Sequence, residues 1–256
     1  FFFKQKTAYE IRNCDWSSDV CSSDLYRVQE LVLEPLAGAR AVLTEDEKEV
    51  GVAMVEMGAQ TTNVAAYYEG KIHHVAILPF GGATLTQDLM RGLAVPYKEA
   101  QRAKEHHAHA FAQMVDPRET VDLPGPSPNQ MRSVACELIA HIVEQRLDEM
   151  FGIIQGELQD HEALDKLGAG IVLSGGSAAI PGIVELAQQI FAAPVRLGVP
   201  SEGLGGIADV VARPRFTVGA GLALWGADRF AETGRGASTR TSGIVTKLGV
   251  WLKEFF

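Results

Sequence analysis

Three closely spaced apolar segments open the interpretable pattern of the chain. Val50 to Met57 (VGVAMVEM) is β-rich and apolar almost throughout, which predicts a buried strand. Gly58-Ala59-Gln60-Thr61 turns the chain, and Thr62 to Tyr68 reads as a second strand. Glu69-Gly70 predicts a hairpin turn into a third strand, Lys71 to Leu78. Before them, Val28 to Leu33 and Ala41 to Leu43 are short apolar pieces around Pro35 and Gly38. Helical spacing follows in Thr84 to Gly92, just after Gly81-Gly82, and in Tyr97 to Met114, a polar helix ending near Asp116-Pro117. Thr120 to Gln130 holds three prolines and reads as a loop. Met131 to Leu158 predicts a long helix with Ile139, Ile142, Val143, Leu147, Met150 and Ile154 along one side. Gly170 to Leu173 is a short apolar strand, Ser174-Gly175-Gly176-Ser177 a tight turn, and Pro181 to Phe191 a helix with proline at its start. Val195 to Val199 reads as a strand, and Thr217 to Trp225 as a small-residue helix closed by Gly226. The order is a strand hairpin, a mostly helical insert, then β-turn-α-β. It predicts a mixed α/β sheet with a helical subdomain inserted between its halves.

The end of the chain has its own pattern. Ile244, Leu248, Trp251, Leu252 and Phe255 fall at offsets 0, 4, 7, 8 and 11, one face of a helix over 244–256, with Thr246, Lys247, Lys253 and Glu254 largely off it. Thirteen helical residues span roughly 20 Å, too short to cross a bilayer. A Trp-Leu-Phe face flanked by lysines suits the membrane interface, and the same amphipathicity fits a helix docked on the protein's own core. Ala231 to Ser242 (AETGRGASTRTS) reads as a flexible tether before it.

Composition narrows the class. The chain has 256 residues, 46% hydrophobic and 21% charged, as in ordinary globular proteins. Its net charge of −9 argues against a nucleic-acid-binding surface. From Arg229 onward the sign reverses: five basic residues (Arg229, Arg235, Arg240, Lys247, Lys253) face two acids (Glu232, Glu254), which fits attraction to anionic lipid. Three cysteines (Cys14, Cys21, Cys136) without framework spacing point to a reducing compartment. No run of about 18 apolar residues is present, nor the layout of a secretory signal. Residues 1–25 (FFFKQKTAYEIRNCDWSSDVCSSDL) show no clear period. They resemble the translation of sequencing-adapter DNA at the end of an assembled fragment, which implies a chain cut short upstream. A disordered arm is the other reading.

Two turns can cradle phosphate. In Glu56-Met57-Gly58-Ala59-Gln60-Thr61-Thr62-Asn63 a glycine frees backbone N–H groups to face an anion, and the threonine hydroxyls add donors. In Leu173-Ser174-Gly175-Gly176-Ser177, between a strand and a helix, the glycines allow close backbone approach. Either is also an ordinary turn. His106, His107 and His109 make no i, i+4 pair, and no cysteine or paired carboxylate completes a metal set, so they read as surface histidines and no metal site is expected. Cys136 reads as a small core residue within a helix.

These turns, in this order and with this insert, resemble the actin-like ATPase superfamily and, within it, the bacterial cell-division FtsA family. The resemblance runs from about Tyr26 to Phe256 and is carried by AVLTEDEKEVGV (41–52), GKIHHVAILPFGG (70–82), AGIVLSGGSAAIPG (169–182), PVRLGVP (194–200), PRFTVGAGLALWG (214–226) and the terminal WLKEFF. It implies the second lobe of an actin-like (ribonuclease-H-like) α/β fold. The expected parts are a large subdomain (26–92 and 169–227), an inserted, mostly helical small subdomain (93–168), a linker (228–243) and a membrane-targeting amphipathic helix (244–256). It implies a nucleotide site at Glu56, Gly58, Gln60, Thr61, Thr62, Gly175, Gly176 and Ser177, with ATP and Mg2+ expected there only in the full-length protein. Gln101 and Lys104 stand where relatives place a Glu-x-x-Lys pair against the ribose.

The resemblance also implies a scaffold rather than a vigorous enzyme. It would tether FtsZ filaments to the cytoplasmic face of the inner membrane at the division site and associate with itself into filaments. The acidic-hydrophobic C-terminal peptide of FtsZ would dock on the insert near Arg132 and Arg146. Their offset of 14 residues puts both on one side of a single helix, where they also read as a solvated pair. Lipid would be bound by Ile244, Leu248, Trp251, Leu252, Lys253 and Phe255. The usual phosphate hairpin of the superfamily is Asp-x-Gly-Gly-Gly-Thr-Thr-Asp. Here Glu56 replaces the leading Asp, Ala59 and Gln60 replace glycines, and Asn63 replaces the trailing Asp, which weakens contact with metal or attacking water. Other branches of the superfamily, a pilus-assembly actin homologue or a sugar-kinase or chaperone-type enzyme, fit the turns but do not call for the terminal helix.

The tail reading predicts that Trp251→Glu, which puts a charge on the apolar face, sharply reduces co-sedimentation with liposomes. Lys253→Ala should lose only part of the binding, mainly on anionic vesicles. Equal sedimentation of the parent and Trp251→Glu would put the helix on the protein's own surface.

Overall fold

The computed structural model describes residues 30–125, 131–200, 203–205 and 208–234. The expectations for 1–25 and for 235–256, the lipid-binding positions included, lie outside the described residues.

Helix α1 (Glu34–Val42) occupies the stretch that sequence pattern resolved only as short apolar pieces. Pro35 sits in its first turn, where a missing N–H costs nothing. Helix α2 (Glu45–Val50) starts on a reciprocal cap: Glu47 N donates to Thr44 Oγ1 (3.2 Å) and Thr44 N to Glu47 Oε2 (2.9 Å). Strands β1 (Val52–Met57), β2 (Thr62–Tyr68) and β3 (Lys71–Leu78) follow within two residues of expectation. Next come α3 (Gly82–Gly92), α4 (Tyr97–His107), β4 (Thr120–Pro124), β5 (Met131–Ala135) and the 25-residue α5 (Cys136–Asp160). Strand β6 (Gly170–Ser174), α6 (Ile183–Phe191), β7 (Val195–Leu197), a short α7 (Ala208–Val211) and α8 (Thr217–Gly234) complete the order.

The main sheet runs β3-β2-β1-β6-β7, antiparallel across β3-β2-β1 and parallel across β1-β6-β7. Alternation along the strands divides the core. Ala53, Val55, Met57, Ile171 and Leu173 join a buried cluster with α3, α5 and α6. Val52, Met54, Ala65 and Val172 join a second cluster with α1 and α8. Seven buried α5 residues (Ile139, Val143, Leu147, Met150, Phe151, Ile154, Leu158) share the first cluster with the sheet, so the stretch read as an insert and the sheet bury apolar area together.

Four local expectations change. The helix from Tyr97 stops at His107 because later N–H groups find partners elsewhere: Ala110 N donates to Pro181 O (2.9 Å) and Ala112 N to Glu144 Oε2 (2.9 Å). Thr120–Pro124 is a strand, paired antiparallel with Met131–Ala135, and Pro124 is its last residue. The long helix accordingly begins at Cys136, whose N–H closes onto Glu119 O at 2.9 Å. Helix α8 runs through Gly226, which costs a helix about 1 kcal/mol but need not end it, so residues 228–234 of the expected linker are helical.

Helices α1 and α8 cross at backbone distance. A Cβ on Gly221 would lie 1.7 Å from Ala37 O, whereas one on Gly219 would meet nothing within 4 Å. Both alanine substitutions gain the same helix propensity, roughly 0.8–1 kcal/mol. Gly219→Ala should therefore stabilise by about that amount, and Gly221→Ala should destabilise by about 1–3 kcal/mol from overpacking. Denaturant titration of the two variants decides; equal midpoints would mean the helices do not cross at Gly221.

Candidate functional site

Strands β1 and β6 run parallel and end together, Glu56 opposite Ser174. The loop 58–61 and the turn 175–177 thus leave the sheet at the carboxyl ends of neighbouring parallel strands, the usual ligand edge of α/β sheets. Gly58 N donates to Thr61 O (2.9 Å), closing the loop. Gly58 O accepts from Gly82 N (2.9 Å) and Ser177 Oγ (3.2 Å), and Ala83 N donates to Ala59 O (2.7 Å). The start of α3 is thereby held against the loop. A Cβ on Gly81 would sit 2.7 Å from Gly58 O, and one on Gly82 would sit 2.6 Å from Ser177 Oγ.

Lys104, from α4, reaches the same point. Its Nζ donates to Gly82 O (2.9 Å) and to Gln101 Oε1 (3.3 Å), while Thr86 Oγ1 also donates to Gln101 Oε1 (2.8 Å). Burial pushes the Lys104 ammonium below its ordinary value, with Glu105 opposing. The structure therefore gathers Gly58, Gln101, Lys104 and Ser177 around Gly82. Gln60 is exposed at the loop tip and Thr61 is half-buried. Thr62 is fully buried and gives its hydroxyl to Phe80 O (2.8 Å), so that hydroxyl holds the fold. Gly175, at φ +86°, packs against β1, where a Cβ would fall 2.5 Å from Met57 O; Gly176 is exposed with open space around it. The two adjacent glycines have different tasks.

Glu56 is buried on the α1 side of the sheet. Asn63 Nδ2 donates to Glu56 Oε2 (3.0 Å) and to Glu34 Oε2 (3.0 Å), joining two carboxylates through one amide. Burial, aided by the nearby Glu34 charge and opposed by the Asn63 bond, pushes the Glu56 carboxyl above its ordinary 4.5. Sequence reading missed Glu34, Gly81 and Gly82. The only local signal for Glu34 is an acid in front of a first-turn proline.

Arg132 and Arg146 do not share a helix. Arg132 stands on β5 and donates to Leu93 O; Arg146 stands on α5 and bonds Asp88 and Glu149. Both nevertheless reach the α3 end of the structure, at Asp88 and Leu93. Arg146 lines an open depression of about 330 Å³ with Asp88, His141, Ile142, Gln145 and Glu149. His109 Nδ1 accepts from Phe111 N at 3.0 Å, while the His106 and His107 rings meet edge to face with centroids 6.4 Å apart. Contrary to expectation, the β4-β5 hairpin returns Glu119 and Cys136 beside His107. Among the described residues no helix is long and apolar enough to cross a membrane.

A family profile described as "Cell division protein FtsA" matches residues 53–221. The chain belongs to the FtsA family. It is 40% identical over 216 residues to the cell division protein FtsA of Pseudomonas aeruginosa, covering 84% of this chain and 51% of that one. With the FtsA of Escherichia coli strain K12 it shares 31% over 241 residues, covering 90% and 57%. The chain spans about half the length of the curated FtsA relatives it matches. MreB5 of Spiroplasma citri, solved bound to ADP, superposes with a TM-score of 0.68 at 14% identity, covering 92% of this chain and 69% of that one. The FtsA-family chain thus has the actin-like fold expected from its sequence.

A carboxyl with a raised folded-state pKa favours the fold while protonated, and that contribution is lost as pH rises through the raised value. Glu56→Gln should therefore raise the thermal midpoint by a few degrees at neutral pH, with the gain shrinking as pH falls toward about 4.5. Melting curves across that range test it; a gain that grew on acidification would reverse the assignment.

Proposed function

We propose that the chain is the second-lobe portion of an ATP-binding scaffold that tethers FtsZ filaments to the cytoplasmic membrane at the division site. The observation that carries the nucleotide reading is the convergence of the 58–61 loop, Gly176, Ser177, Gln101 and Lys104 at the carboxyl ends of β1 and β6. The turns suit a phosphate: Gly176 is exposed with open space around it, beside the exposed tip of the 58–61 loop. ATP would bring the phosphates and Mg2+, and Gln101 and Lys104 would face its sugar. Mg2+ fits less well, because Glu56 is tied to Asn63 and drawn toward its protonated form. Weak hydrolysis follows from that environment.

The tether rests on membership of a family of cell division proteins and on the amphipathic pattern of 244–256. The peptide site rests on the depression beside Arg146. Arg146 already bonds Asp88 and Glu149, so an acidic peptide must compete with two carboxylates of this chain. Self-association into filaments rests on the actin-like fold.

One set of variants tests both sites, in a chimera whose remaining length comes from a relative. Gly176→Val should weaken nucleotide binding at least about tenfold while leaving the melting temperature unchanged. Gly175→Val should lower the melting temperature itself, because its side chain meets β1. Arg146→Glu should weaken FtsZ-peptide binding by about 1–3 kcal/mol. Parent-like nucleotide affinity in Gly176→Val would remove the phosphate site, and a parent-like peptide isotherm in Arg146→Glu would move the peptide elsewhere.

A further inference from the structure

Cys136 is 1% exposed at the first position of α5. Its Sγ lies 3.6 Å from His107 Nδ1, at the last position of α4, and His107 Nδ1 lies 3.8 Å from Glu119 Oε1, just before β4. All three donor atoms lie within 4.8 Å of one another. They come from three different elements, and the Cys136 N–H bond to Glu119 O (2.9 Å) fixes the backbone between two of them.

Tetrahedral zinc, with bonds of about 2.3 Å to sulfur and about 2.0–2.1 Å to nitrogen, separates those two donors by about 3.6 Å. The His107–Cys136 distance therefore already fits. Glu119 lies 3.8 Å from His107 Nδ1 and within 4.8 Å of Cys136 Sγ, and as an exposed side chain it is free to move in by up to about 1 Å. We infer that His107, Glu119 and Cys136 form a site for a zinc-class divalent cation, with a fourth position left to water. A thiolate, an imidazole and a carboxylate together favour a borderline-soft ion over Mg2+ or Ca2+. On binding, the Cys136 S–H bond breaks, a sulfur–metal bond forms and the proton leaves to solvent. Half-exposed Glu119 and part-exposed His107 leave an entry path. The ion would clip the α4 end to the hairpin and to the start of α5.

The other compact set, His74, Glu157 and His161, offers only nitrogen and oxygen. Sulfur is therefore the distinguishing probe. Cobalt(II) is titrated into the full chain carrying Cys14→Ser and Cys21→Ser, so that Cys136 is its one thiol. We expect one equivalent of thiolate-to-cobalt charge-transfer absorption, displaced by zinc. Loss of a mere outer-shell partner costs about 10–100-fold in metal affinity. His107→Ala and Glu119→Gln should thus each weaken binding at least about tenfold, with helical circular dichroism unchanged. His106→Ala and His74→Ala should leave the band intact. Absence of the band, or a band of parent affinity in a folded His107→Ala, overturns the site and leaves a plain Cys–His contact.

Discussion

The parallel pairing of β1 with β6 is the contact on which the rest depends. It joins chain segments far apart in sequence, and no local signal forces them together. What holds them is burial on both faces: Val55 and Leu173 toward α5, Met54 and Val172 toward α1 and α8. A strand covered on both sides gains from every residue, which explains six consecutive buried positions in Val52–Met57. Once the two strands lie in register, the loops that leave them must emerge side by side. The meeting of the 58–61 loop with the 175–177 turn is therefore a by-product of core packing.

That pairing also explains why Gly175 and Gly176 differ. The first residue after β6 must pass the backbone of Met57 and can carry no side chain; the next has cleared the strand and faces outward. The same economy recurs at Gly82, which sits where the loop, Ser177 and Lys104 all meet.

The strands were legible because their signal is local: short continuous apolar runs, β-branched residues, and a Glu69-Gly70 turn. The 108–135 region was not. Ala110 and Ala112 donate to Pro181 and Glu144, partners far outside any sequence window, and Cys136 closes onto Glu119 only once β4 and β5 pair. A helical period was accordingly carried past His107 and begun five residues before Cys136. Arg132 and Arg146 were assigned to one helix by the same error, although both end against α3. In the candidate site, the 58–61 and 175–177 turns were readable from their glycines, whereas Gly81 and Gly82 read only as the start of a helix. Glu34 was not readable, because its role exists only once α1 crosses the sheet and meets Asn63.

Helix α5 is a rod of 25 residues, about 37 Å long. One end carries Cys136 beside His107 and Glu119. The other carries Glu157, whose carboxylate meets His74 of β3 at 3.0 Å. Between them its buried face is locked into the sheet-side core, so the rod cannot bend to absorb a local displacement. A pivot of about 10° at Arg146, roughly 15 Å from one end and 21 Å from the other, would move the two ends by about 3–4 Å in opposite directions. The hairpin at one extremity and the edge of the sheet at the other are in this sense two ends of one lever, and Arg146, bonded to Asp88 partway along, sits near its fulcrum.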